Sequence, residues 1–190
     1  MANNVQNVTA GKPAIEGAIY RALLTDSVEI PTDAVSELSS DFKAMGYVSD
    51  GGLTNSNSPE TDKVKAWGGD IVLVTQNEKP DTLKFKLIEV MNPDVLKAVY
   101  GDENVTGSLP AGMTVTANSN EPDEAVWVVD MILRGDVLKR IVIPDGKLSE
   151  LGDIEYVDDD CVGYDITIEA LPDTDGNTHY EYFQGGDESE

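Results

Sequence analysis

The chain has 190 residues, with 36 Asp and Glu against 13 Lys and Arg, a formal net charge of −23. Such a surface repels nucleic acid and anionic membrane, which excludes a role in gripping either. With 40% hydrophobic residues, the length suffices for one domain with a real core and is unlike a disordered acidic tail.

In chain order, residues 1–13 are polar and predict a flexible arm. Ala14–Leu24 is extended in character, with Ile15, Ala18, Ile19, Tyr20 and Leu23 as apolar points, and Thr25–Asp33 is a loop containing Pro31. Asp33 can cap a short helix over Ala34–Ala44, where Val35, Leu38 and Phe42 fall at helical spacing. Gly46-Tyr47-Val48 starts a strand. Asp50–Asp62 is the longest interior polar stretch and predicts a mobile surface loop, either a tolerated insertion or a binding or assembly loop.

A meander is expected next. Lys63–Trp67 leads into Gly68-Gly69, a pair suited to a primed hairpin turn, and Asp70–Gln76 answers as a second strand. Asn77–Pro80 turns the chain into a third strand, Thr82–Val90, with Leu83, Phe85 and Leu87 on one face and Lys84 and Lys86 on the other. Lys63, Lys65, Lys84 and Lys86 form the only local basic concentration, expected to face one another across the meander and to balance nearby carboxylates. Trp67 and Trp127, inside apolar patterns, are expected as core anchors.

The clearest helix follows. Asn92 is an N-cap, Pro93 the first helical residue, Asp94 complements the dipole and Gly101 stops the helix. Val95, Leu96, Val99 and Tyr100 form its apolar face; at two turns it must pack on a sheet. Met113–Ala117 is a short strand. Ala125–Leu133 is apolar on both faces, as a central strand would be. Arg134-Gly135-Asp136 resembles an integrin-binding tripeptide but reads as a tight turn into Val137–Ile143. Pro144-Asp145-Gly146 predicts another turn, Lys147–Val157 and Cys161–Ala170 the last strands, and residues from Pro172 a loose polar end. Nine or so short strands and one or two small helices predict a mainly β fold, an antiparallel β-sandwich or barrel with one short flanking α-helix.

Catalytic constellations are sparse. The single histidine, His179, lies near the C-terminal end, and Cys161 follows Asp158-Asp159-Asp160, whose charge raises a thiol pKa, the wrong direction for a nucleophile. A lone cysteine excludes an internal disulfide. Asp158–Asp160 and Asp173-Thr174-Asp175-Gly176-Asn177 offer oxygen ligands, yet neither matches an EF-hand loop. No P-loop, dinucleotide fingerprint, basic-apolar leader or apolar stretch of about 20 residues is present. No metal, cofactor or enzymatic activity is expected.

Several segments, in order, resemble the major tail (tail tube) proteins of long-tailed non-contractile bacteriophages: Gly46-Tyr47-Val48-Ser49-Asp50-Gly51-Gly52-Leu53-Thr54, Lys65-Ala66-Trp67-Gly68-Gly69-Asp70, Phe85–Val90 and Val95–Gly101, then Arg140–Pro144, Gly152-Asp153-Ile154 and Gly163–Thr167. The likeness runs from about Gly17 to Tyr182. It implies a tail tube fold: a β-sandwich or barrel with a flanking helix, over a single domain spanning 14–171, with arms at 1–13 and 172–190. It implies hexameric rings stacked into a hollow tube, assembled in the host cytoplasm and carried in the virion, with tape measure, tail terminator and distal tail proteins as partners. Genomic DNA would pass through the lumen without specific binding; no membrane is involved.

The assembly-loop candidates are Asp50, Gly51, Gly52, Leu53, Thr54, Asn55, Ser58, Pro59, Glu60 and Asp62. Those for an inner-barrel meander are Lys63, Lys65, Asp70, Glu78, Asp81, Lys84 and Lys86. An acidic lumen would leave DNA its own counterions and let it slide. Two other classes compete: an acidic calcium-dependent adhesin-like β-sandwich and, below it, a carboxylate-based hydrolase. Adaptation to high salt would also account for the charge.

Overall fold

The computed structural model describes residues 3–14 and 17–185, leaving out the Gln6 side chain. Ile15 and the last five residues of the expected C-terminal arm lie outside the described residues. Among the described residues there are thirteen strands and one α-helix: β1 (Lys12–Pro13), β2 (Ile19–Leu23), β3 (Lys43–Ala44), β4 (Val48–Ser56), β5 (Glu60–Lys65), β6 (Ile71–Glu78), β7 (Thr82–Leu87), α1 (Pro93–Tyr100), β8 (Val105–Ser108), β9 (Gly112–Val115), β10 (Ala125–Ile132), β11 (Leu138–Leu151), β12 (Tyr164–Ala170) and β13 (Tyr180–Gln184).

Nine strands make one antiparallel sheet in the order β3-β2-β10-β11-β12-β7-β4, with β1 also on β10 and β13 also on β11. β10 and β11 are its axis. β10 is apolar on both faces because both are covered, as its sequence predicts. Ala125, Trp127 and Val129 enter the main core, while Val126 and Val128 join Ala22, Phe42 and Val142 in a smaller cluster behind. The sheet curls strongly. Phe85 of β7 meets Trp127 of β10 with ring centroids 5.9 Å apart, although two strands separate them in the pairing order. Gly146 permits this close approach, since a Cβ there would stand 2.7 Å from Trp127 Cδ1.

Helix α1 follows its sequence signals. Asn92 Oδ1 accepts from Asp94 N at 3.0 Å, Pro93 opens the helix, and Gly101 ends it at φ 97° with its N–H donating to Lys97 O. Val95, Leu96, Ala98 and Val99 are buried. Tyr100 is half-buried, edge-on to Tyr164.

Four expectations are corrected. No helix forms over Ala34–Ala44. Asp33 does cap a turn, accepting from Val35 N, Ser36 N and Ser36 Oγ, but the buried Arg140 takes the Asp33 and Ser36 carbonyls that a helix would need. Pro144-Asp145-Gly146 is no turn. Ile143 pairs with Trp127 and Gly146 with Ala125, so Pro144 and Asp145 form a bulge inside β11, where a missing N–H is tolerated. The predicted strand Lys147–Val157 ends at Leu151, as the tail of β11. The end expected to be loose supplies β13, which pairs with β11 from Leu138 to Val142. Arg134–Asp136 is the tight turn expected, with Leu133 N donating to Val137 O and Gly135 and Asp136 at positive φ.

Candidate functional site

β4 and β7 pair within the sheet from Val48↔Leu87 to Ser56↔Thr82. Beyond residues 57–59 the chain continues as a separate two-stranded ribbon, β5–β6, running from Glu60↔Glu78 to Lys65↔Ile71. Ala66–Asp70 closes it. Ala66 N donates to Asp70 O, Gly69 N donates to Ala66 O, and Gly68 and Gly69 take φ 123° and 102°, values side chains rarely adopt.

Every residue of β5 and β6 is exposed. Strand alternation puts Ile71 and Leu73 on one face and Val72 and Val74 on the other, and each is 51–61% exposed. At the tip Trp67 is 107% exposed. The core anchor expected from sequence is thus Trp127 alone; Trp67 stands in solvent. An isolated hairpin is marginal in water, and one that is apolar on both faces has no inner face to bury.

The stretch Asp50–Asp62, expected as a loop, is mostly strand. Gly51 and Gly52 fall in the register shift between Val48 and Leu53, while Leu53, Thr54 and Asn55 sit opposite Phe85, Lys84 and Leu83. Only 57–59, with Ser58 and Pro59, breaks the pairing before Glu60. Polarity was misleading because an exposed ribbon has no buried face to demand alternation. Asp62 accepts from Asn77 Nδ2 across the ribbon. Glu60 and Glu78 oppose each other at its base, a like-charge pair that weakens the root.

The expected lysine cluster does not form. β6 bonds to β5, whereas β7 bonds to β12 and β4, so Lys63 and Lys65 are carried away from Lys84 and Lys86. Lys84 Nζ lies 3.7 Å from Asp165, as the charge-balance expectation required for that residue. The Lys86 stem runs beside Gly163. Among the described residues, Lys63 and Lys65 have no ion-pair partner. Asp70 stands at the exposed tip.

Asp81 is buried at 1% exposure, where the ribbon re-enters the sheet. Asn55 Nδ2 donates to its Oδ1 at 2.9 Å, Thr178 Oγ1 donates to Oδ2 at 2.5 Å, and His179 Nδ1 also bonds Oδ2. Burial alone would push this carboxyl up; the bonds from Thr178, His179 and Asn55 outweigh it and hold the pKa below the ordinary value. The residue therefore ties together the ribbon root, β4 and the segment leading into β13. Nothing in the local sequence marks it, since its partners are 26 and 97–98 positions away.

The other acidic groups are occupied or dispersed. Asp173 accepts from Tyr180 Oη, Asn177 N and Asp175 N, which hold its pKa down and close the turn. Asp158–Asp160 are exposed, and Asp160 accepts from Cys161 N. Among the described residues no three His, Cys, Asp or Glu side chains converge as metal ligands.

A cleft of about 680 Å³ opens at the other end of β4 from the ribbon. Its apolar wall includes Pro13, Ile19, Leu53, Val129 and Met131; Asp50 and Glu89 bring carboxylates to it. Gly46, at φ 68°, lets Glu89 fold in, where the carboxylate accepts from Tyr47 N and Asn92 Nδ2.

A family model described as "Phage tail tube protein" matches residues 1–186. Among solved structures, the chain is similar to one from the anti-feeding prophage baseplate, at 12% identity and TM-score 0.42, over 92% of this chain and 97% of that one. It is also similar to one from the anti-feeding prophage tube-terminating cap, at 6% identity and TM-score 0.37, over 98% and 100%. At those scores neither carries weight beyond the family match. No curated protein matches.

Proposed function

The chain belongs to the phage tail tube protein family, and from that membership we propose that this structural tail subunit forms hexameric rings that stack into a hollow conduit for the genome. The observation that carries the reading is the β5–β6 ribbon, exposed throughout, with the apolar run Ile71–Val74 bare on both faces of β6. Contiguous exposed apolar surface marks an interaction site, and sheet edges left open in one copy are paired in a closed assembly. The ribbon and the adjoining 50–62 segment are the proposed assembly elements, since β1 and β13 tie the expected terminal arms to the chain's own sheet.

The charge supports a passive lumen. Six copies carry six times −23, so a ring holds a large excess of carboxylates over cations and passing phosphates retain their own ions. Most of that charge lies after residue 100, which holds 22 acidic and 4 basic side chains, so part of it serves the solubility of the free subunit. The reading assigns the chain no catalysis. Tape measure, terminator and distal tail proteins are its proposed partners, met in the host cytoplasm.

Electron microscopy of purified protein, concentrated at moderate salt to screen self-repulsion, tests this. Annuli or stacked tubes are expected. Protein that stays monomeric at every concentration and salt, and is missing from tail particles, would defeat the proposal.

A further inference from the structure

We infer that the ribbon tip of one chain seats Trp67 in the 680 Å³ cleft of a second copy. The inference rests on the tail tube reading and adds which surfaces meet.

Three observations lead to it. Trp67 is completely exposed at the end of a ribbon that is itself exposed along its length, so the largest apolar side chain outside the core has no contact within its own chain. The cleft presents the partly exposed Leu53 and Met131 over a floor of buried Ile19 and Val129, so a flat ring entering it meets apolar surface.

Charge points the same way. Lys63 and Lys65 flank the tip with no ion-pair partner among the described residues, while Asp50 and Glu89 stand at the cleft. Lys65, two positions from Trp67, complements the carboxylates of the cleft, although Asp70 shares the tip.

Position then excludes the chain's own cleft as the receptor while the ribbon stays extended. From Leu53 at the cleft to Trp67 the chain runs through β4 and β5, about 45 Å of contour at roughly 3.3 Å per residue. Tip and cleft are different surfaces at opposite ends of one ribbon, so their contact is heterologous: each copy gives a tip and receives one, and the association propagates. An aromatic ring buried this way removes on the order of 150–250 Å² from water and is a typical central anchor of an interface.

The full-length chain carries the test. Trp67→Ala should melt within about 2 °C of wild type, because the ring touches nothing, yet should form no annuli or tubes where wild type does. Ser49→Phe, which fills the cleft, should do the same. Mixed one to one, the two variants retain one working tip and one working cleft. They should form a dimer and nothing larger by analytical ultracentrifugation. Trp127→Phe leaves Trp67 as the only tryptophan of the chain's two, and its solvent-exposed emission, excited selectively over tyrosine, should shift to the blue on assembly.

Assembly by Trp67→Ala as good as wild type, or unshifted Trp67 emission in formed tubes, would overturn the contact and leave the tail tube reading standing. Wild type that never associates would overturn both.

Discussion

Replacing Asp81 by Asn keeps the shape of a buried side chain and removes its charge. Asp81 Oδ2 accepts from Thr178 Oγ1 and His179 Nδ1, and an amide nitrogen in that place turns an acceptor into a donor facing two donors. Hydrogen bonds to a charged group contribute about 1.5–3 kcal/mol each. Thr178 and His179 are half-buried and can turn partly to water, so the lower end of that range applies and the pair together is worth about 3 kcal/mol. For a chain of this size each kcal/mol moves Tm by about 2–4 °C, so D81N should melt roughly 6–12 °C below wild type at pH 7. The sign of the pH dependence follows from the depressed folded-state pKa. The contribution is fully present above the unfolded value of about 3.9 and is lost as pH falls through the folded one. Thermal melts by circular dichroism from pH 7 to pH 3 should therefore show a constant gap above pH 5 that narrows toward pH 3. A variant within 1 °C of wild type at pH 7, or a gap unchanged at pH 3, would refute the reasoning.

Other consequences are equally direct. Arg140 is buried and donates from Nε and Nη2 to Asp130 at 2.7 and 2.9 Å, so Arg140→Met strands a carboxylate and should cost about 3–5 kcal/mol in urea titrations, with part recovered by adding Asp130→Asn. Gly146→Ala forces a methyl to within 2.7 Å of the Trp127 ring and should cost about 1–3 kcal/mol, with an altered near-ultraviolet tryptophan signal. Backbone amides of β5 and β6 should exchange with deuterium far faster than those of β10 and β11 in the free subunit, and become protected in assembled tubes.

Where the sequence was legible, local chemistry and tertiary packing agree. Asn92, Pro93 and Gly101 define α1 without outside help, and the alternation in Tyr164–Ala170 is the burial pattern observed for β12. Where it was not, a distant group decides. Arg140 withdraws the carbonyls of a helix predicted around 34–44, more than a hundred positions away. Trp67 and Trp127 sit in similar apolar patterns, and nothing local says that one faces Phe85 and the other water. The hairpin itself was readable from Gly68-Gly69; its detachment from the body was not. The Asp81 hub was invisible for the same reason as Arg140: its partners come from β4 and from the end of the chain.

The pairing of β2 with β10 has a consequence for how the protein is made. Ile19 lies opposite Val129, about 110 residues later. A ribosome adding roughly 5–20 residues per second leaves β2 without its partner for about 5–20 s. During that interval the ribbon emerges complete, with Ile71–Val74 bare, before the strand that anchors the sheet has been synthesised. Nascent subunits on one message thus display their association surface before they have a fold to hold it. The acidic second half, arriving last, supplies the repulsion that keeps them apart.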